Sequence, residues 1–128
     1  MKSVGIIIEN SQGELLHLLR DDNPNIPFPN QWVGLGGIVE KDESFEEAIQ
    51  RELKEEIGID ISKPQLLKVY NWPEKTEAIF YTKLDLDIDK IQLKEGQRLK
   101  YFSIDELQKT NLAFHDNQIV NDFLNSKK

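Results

Sequence analysis

Three glutamates fall within five positions in the stretch Arg51-Glu52-Leu53-Lys54-Glu55-Glu56-Ile57-Gly58-Ile59, in a chain whose net charge is already −7. Placed on a helix, the i, i+3 and i+4 spacings put the three carboxylates on one face. The flanking residues supply that helix. Ser44 is a preferred N-cap, and Glu46 and Glu47 suit the positive end of the helix dipole. Phe45, Ala48, Ile49, Leu53 and Ile57 recur at helical spacing as one apolar stripe, and Gly58 is a C-terminal stop. The carboxylate face is expected roughly opposite this stripe. Like charges at these spacings cost an isolated helix about 0.2–0.5 kcal/mol per pair. A solvated helix surface tolerates that cost. So does a site where a hard divalent cation supplies the missing positive charge. Arg51 and Lys54 alone interrupt the acidic run, and Arg51 reads as a clamp that holds a carboxylate in place.

Residues further out decide between these readings. Gly37 is followed after five residues by Glu43, and after seven more by the Arg51–Ile59 stretch. This pattern matches, at every constrained position, the signature of the Nudix (MutT-like) hydrolase family. The chain resembles that family most specifically over residues 37–59, the Nudix box, and more loosely over most of its length. The resemblance implies an α/β fold, an α/β/α sandwich with a mixed sheet between helices, formed by residues 1–128 as one domain. It also implies Mg²⁺ or Mn²⁺ held by Glu52, Glu55 and Glu56, with the backbone carbonyl of Gly36 as a further ligand. Glu43 and Arg51 match positions that brace such a site. Glu95, in the segment Lys94-Glu95-Gly96-Gln97, is the candidate for a further acidic ligand or for the general base; its alternative is a surface loop residue. Leu35 stands where the family usually has proline, which leaves the turn before the box freer, while both following glycines are kept.

The activity implied is metal-dependent hydrolysis of a diphosphate linkage in a nucleoside diphosphate derivative. Modified nucleoside triphosphates come first, then nucleotide sugars or ADP-ribose. Cations neutralise the diphosphate oxygens and activate water, and a carboxylate, Glu52 or Glu95, removes its proton. Arg20, Phe28, Trp32, Trp72, Lys75 and Tyr81 lie in segments that flank the cleft in related enzymes. There, aromatics could stack on a base and the cations could meet phosphate; core packing and solvation are the alternatives. His115 and Asp116 precede the last helix, where Asp116 either reads a base or caps the helix. Two other classes compete: a Nudix-fold module that binds a nucleotide without turnover, and an acidic cation-binding protein with no nucleotide role. The second leaves the glycine and arginine spacing unexplained.

Composition narrows the partners. The acidic balance argues against a broad basic face for a nucleic acid polymer, so the expected partner is a small nucleotide, with the protein a monomer or homodimer. With no cysteine, thiolate metal sites and thiol nucleophiles are excluded. The apolar run near Lys2 ends at Glu9, too early for a signal peptide, and no membrane span is present, so the expected compartment is the cytoplasm.

Along the chain, 3–9 and 14–20 read as a hairpin around a turn at 10–13. Residues 21–32 form a loop rich in proline and asparagine, followed by one short strand around 33–39. Residues 65–72 and 77–89 read as strands and 98–102 as another. A capping box at Ser103 and Glu106 opens a short helix over 103–109, and 116–126 reads as the terminal helix. Asp85-Leu86-Asp87-Ile88-Asp89 imitates a calcium loop but has Lys90 and Gly96 where glycine and glutamate are required. Its alternation suggests a strand with an acidic outer face.

Overall fold

The computed structural model describes residues 1–127. The elements run β1 (Lys2–Glu9), β2 (Leu15–Leu19), β3 (Trp32–Val33), β4 (Leu35–Ile38), α1 (Phe45–Ile57), β5 (Gln65–Asn71), β6 (Thr76–Lys83), β7 (Arg98–Phe102), α2 (Ile104–Gln108) and α3 (Asp116–Ser126). The sheet is mixed, with the path β3-β2-β1-β6-β5. In addition, β4 pairs with β1 and β7 with β2. β1 lies parallel to β6 from Lys2↔Thr76 to Glu9↔Lys83 and antiparallel to β4 from Ser3↔Ile38 to Ile6↔Leu35.

Alternation along the strands fills two layers. Val4, Ile6 and Ile8 of β1 face α1, where Ala48, Ile49, Leu53 and Ile57 close a core with Leu16, Leu18, Leu35 and Phe80. Ile7, Leu15 and Ile79 face the other way, onto Leu107, Ile119, Val120 and Phe123. The result is the α/β/α sandwich, since strands buried on both faces need a helix layer on each. Among the described residues no helix is long and apolar enough to cross a membrane.

α1 follows its local signals. Ser44 Oγ accepts from the Glu47 amide at 3.1 Å while the Glu47 carboxylate accepts from the Ser44 amide at 2.9 Å. Gly58, at φ 71°, closes the other end in a left-handed conformation. Two stretches differ from the sequence reading. The strand expected around 33–39 is broken at Gly34: β3 pairs with β2, whereas β4 pairs with β1. The strand expected over 77–89 ends at Lys83, and 88–90 form a single 3₁₀ turn. Its neighbour β1 runs out at Glu9, whose carbonyl takes the Leu84 amide, and beyond that no ladder partner remains. Leu84, Leu86 and Ile88 still pack on the α1-side core, so the alternation reports burial and not strand pairing.

Candidate active site

β4 carries Gly36 and Gly37 directly beneath α1. A Cβ on Gly36 would collide with the Val4 carbonyl, and one on Gly37 with the Glu52 carboxyl group. Both glycines are therefore required by close approach, of strand to strand and of strand to helix. Leu35, in the place of the usual proline, is 1% exposed and paired with Ile6. The turn before the box is anchored by the ladder and by core burial instead of by a ring.

The carboxylates do not lie opposite the apolar stripe. At about 100° per residue, Glu52 and Glu56 fall between Ala48 and Ile49, within the arc of the buried residues Ala48, Ile49, Leu53 and Ile57. Its Oε1 is buried and has no hydrogen-bond partner among the described residues. Burial, then the neighbouring Glu52 carboxylate, pushes the Glu56 pKa up to about 8; the Gly36 amide pulls it back, and Glu95 adds to the rise. Glu55 differs: it is 55% exposed and leans on Arg51 at 3.3 Å. As the side chains stand, no three acidic or histidine groups among the described residues gather around one point.

Arg51 organises the rest. Nε and Nη2 donate to Glu43 at 2.6 and 3.0 Å, Nη1 to Glu52 at 2.9 Å, and Nη2 to the Ile38 carbonyl at 3.0 Å. Glu40 adds an ion pair at 2.9 Å. The bidentate pair holds the Glu43 carboxyl below the usual carboxylate range. The other Glu43 contact, from the Glu40 amide at 2.9 Å, fixes the loop entering α1. Arg51 thus ties that loop, the end of β4 and the Glu52 carboxylate to one guanidinium.

Glu52, Glu55 and Glu56 line one end of a cleft of about 1170 Å³, together with Gly36, Gly37 and Glu95. The cleft continues past Gly5 and Gly34 to Lys75, Glu77 and Asp116, with Arg20 and Phe28 at its rim. Phe28 meets Phe114 with ring centroids 4.6 Å apart, and the Arg20 and Lys75 cations each sit 5.1 Å from the Phe114 ring. Both phenylalanines have positive φ, 50° and 54°, a strained state for a bulky residue. Arg20 also donates to the Pro27 carbonyl at 3.0 Å, bracing the proline-rich loop.

The other expected contacts lie elsewhere. Trp32 packs edge-on to Phe102 at 4.8 Å. Trp72 is stacked between Tyr70 at 4.7 Å and His115 at 3.9 Å. Tyr81 donates to Glu9 at 2.6 Å. Asp116 is not a helix cap. His115 occupies the N-cap position without a side-chain cap bond, and Asp116 turns inward, where Oδ2 accepts from the Gly34 amide at 2.7 Å. That bond takes the amide out of the sheet at the point where the chain passes from β3 to β4. Burial, against the Gly34 bond, raises the Asp116 pKa to about 6.

Sequence reasoning missed Glu77, Ser3 and Phe114. Glu77 is detectable as the charged member of the alternation Glu77, Ile79, Tyr81, which shares a strand face with two apolar side chains. Nothing local marks Phe114.

A family model described as NUDIX domain matches residues 1–123. The ADP-ribose pyrophosphatase of Methanocaldococcus jannaschii is 34% identical over 108 residues, which are 80% of this chain and 63% of that protein. An RNA pyrophosphohydrolase of Hahella chejuensis is 34% identical over 102 residues, 80% of this chain and 58% of that protein. The chain therefore spans less than two thirds of the length of these relatives. The MutT protein of Methanosarcina mazei superposes with a TM-score of 0.77 at 24% identity, over 100% of this chain and 95% of that one, and so has the same fold. On the family match and the box geometry together, the chain belongs to the Nudix family.

Proposed function

We propose that this protein is a divalent-cation-dependent hydrolase that cleaves the diphosphate linkage of a small nucleoside diphosphate derivative. The observation that carries the reading is Glu56: a buried carboxyl oxygen without a partner, beside Glu52, above two glycines, at the acidic end of a cleft of nucleotide size. A lone buried carboxylate is costly unless a proton or a cation compensates it. The donors offered are carboxylate and carbonyl oxygens, the set preferred by Mg²⁺ or Mn²⁺.

Glu52 and Glu56 would hold the cation with the Gly36 carbonyl, and Glu55 or Glu95 would complete the set after moving toward it. A cation held there would supply positive charge against the diphosphate oxygens and would make water easier to deprotonate. Arg51 keeps Glu52 oriented from behind, so that no reorganisation of that carboxylate is needed during reaction. Glu52 and Glu95 are the two candidates to take the proton from water; Glu52 is fixed by Arg51, whereas Glu95 sits on a loop beside Gly96. Lys75 and Arg20, at the far end and rim, are placed for the remaining substrate charge or for stacking through Phe114.

The relatives named for ADP-ribose and for RNA make both substrates part of the test. Phosphate or nucleotide release is measured on a panel of ADP-ribose, a nucleotide sugar, nucleoside triphosphates with normal and oxidised bases, and 5′-triphosphate RNA. Turnover of at least one member with Mg²⁺ and its abolition by chelator are expected. Tight binding of a nucleotide with no turnover in Mg²⁺ or Mn²⁺ would replace this reading with a binding module.

A further inference from the structure

The loop that carries Glu95 has little structure of its own. Residues 91–97 belong to no helix or strand, and the β2–β7 ladder begins only at Arg98↔Leu19. Glu95 is exposed, lines the acidic end of the cleft and adds its charge to the rise of the Glu56 pKa. Its position therefore depends on what holds the loop. Gly96, at φ 87°, seats its backbone against Leu18, where a Cβ would come within 2.6 Å of Leu18 Cδ1. Gln97, next to it, is tied at three points. Its amide donates to the Leu19 carbonyl at 2.8 Å, and its side-chain Nε2 donates to the Arg20 carbonyl and to Asn30 Oδ1, each at 2.8 Å. The Arg20 carbonyl can only accept, so the carboxamide nitrogen faces both oxygens, and both of its N–H groups are used. Those acceptors belong to the proline-rich loop and its base. The Asn30 amide closes that loop by donating to the Asp21 carbonyl at 3.0 Å, and its φ of 56° is one that asparagine tolerates better than most residues. The Arg20 side chain braces the same loop at the Pro27 carbonyl. Phe28, on the cleft rim, lies between these two braced points in the chain.

We propose that Gln97 is a positioning residue: its carboxamide latches the Glu95 loop to the proline-rich loop, so that the Glu95 carboxylate and the cleft rim are held in place by the same bonds. The inference rests on the hydrolase reading and deepens it, since it gives Glu95 a part in turnover. One hydrogen bond at an exposed side chain such as Gln97 contributes little to stability. Loss of this side chain, however, removes both side-chain ties at once, from segments that have no ladder to replace them. Misplacing by about 1 Å a group that acts on the reacting atoms costs on the order of 10²-fold in rate. A loop freed by that much loses turnover before the protein loses its fold.

Gln97→Met keeps the length and shape of the side chain without its donors. It should lower kcat at least about tenfold on whichever substrate of the panel is turned over, with KM raised by a smaller factor. Gln97→Lys, which restores donors at similar reach, should recover most of that loss. A double-mutant cycle separates positioning from general loosening. In a Glu95→Gln background, where the carboxylate to be positioned is already gone, Gln97→Met should change kcat by less than about twofold. Hydrogen exchange on the metal-free protein reads the latch without turnover. In Gln97→Met the amides of 93–97 and of 27–31 should exchange faster together, by at least about fivefold, with α1 unchanged. Full kcat in Gln97→Met, full kcat in Glu95→Gln, additive losses in the double variant, or faster exchange in one segment and not the other overturns the proposal. A wild-type protein that turns over no member of the panel sinks the hydrolase reading, and the paired exchange alone then upholds or overturns the latch.

Discussion

α1 and α3 both deliver acidic side chains to the cleft, and they begin in different ways. α1 starts on a complete capping box, and the guanidinium of Arg51 satisfies most of its acidic surroundings. α3 starts with no side-chain cap, because its first acidic residue turns inward to hold Gly34. The local rule that a helix opens on a side-chain acceptor is obeyed where the helix only carries the site. It is broken where the first residue of the helix is itself the wall of the site. Departures from local consistency mark the positions committed to function.

The difference can be broken most severely at Arg51. Arg51→Met strips the counter-charge from Glu43, whose side chain is 14% exposed, and frees the loop entering α1. The largest loss of stability in this set is expected, measured as a lower midpoint in denaturant unfolding. α1 would then be as poorly satisfied as the start of α3.

Next in size is the titration of Glu56. Its folded pKa of about 8 lies above the ordinary glutamate value of 4.5, so the folded protein keeps a proton that the unfolded chain has lost. The contribution is full below about pH 4.5 and disappears as pH rises through about 8. Glu56→Gln should remove that decline and leave the variant more stable than wild type at pH 8.5, by about 2 kcal/mol, when no divalent cation is present. Unchanged melting curves across pH 5–9 would contradict it.

Asp116 follows. Asp116→Ala leaves the Gly34 amide without its acceptor, at a cost of about 1–2 kcal/mol. Asp116→Asn keeps an acceptor and should flatten the stability profile between the ordinary aspartate value of 3.8 and the folded value of about 6. Chemical denaturation at pH 4 and pH 7 separates the two effects. The smallest effect belongs to Gly58, which has φ 71° and open space around a would-be Cβ. Gly58→Ala should cost about 1 kcal/mol in thermal melting, through backbone strain alone, with turnover unaffected.

The legibility of the chain divides along the same line. α1, its caps and the box glycines are readable because their signals are local: Ser44 three residues before Glu47, and Gly58 after Ile57. The break between β3 and β4 is not, because Asp116, distant in sequence, draws the Gly34 amide away. The acidic stretch at 85–89 misleads because the alternation of Leu84, Leu86 and Ile88 records which side chains are buried, while strand pairing depends on where β1 ends. A solvated glutamate face belongs opposite the apolar stripe, as the sequence reading expects. Glu56 instead falls among the buried positions, between Ala48 and Ile49 around the helix, a placement that suits the proposed cation ligand and not a solvated surface. Of the aromatics suggested by segment position, Trp32 and Trp72 serve packing, and Phe28 alone reaches the cleft rim. Which of two flanking aromatics turns inward is a tertiary outcome that spacing does not encode.

The proposed site turns on Glu56, which with Glu52 and Gly36 would capture a hard cation. Titrating Mg²⁺ into the protein at pH 7, in two buffers of different ionisation enthalpy, measures both binding and the protons exchanged. Binding is expected with release of about one proton per ion, because the carboxyl group of Glu56 must ionise to become a ligand, and both should be lost in Glu56→Gln. Binding of equal strength in wild type and Glu56→Gln, with no proton released, would contradict it.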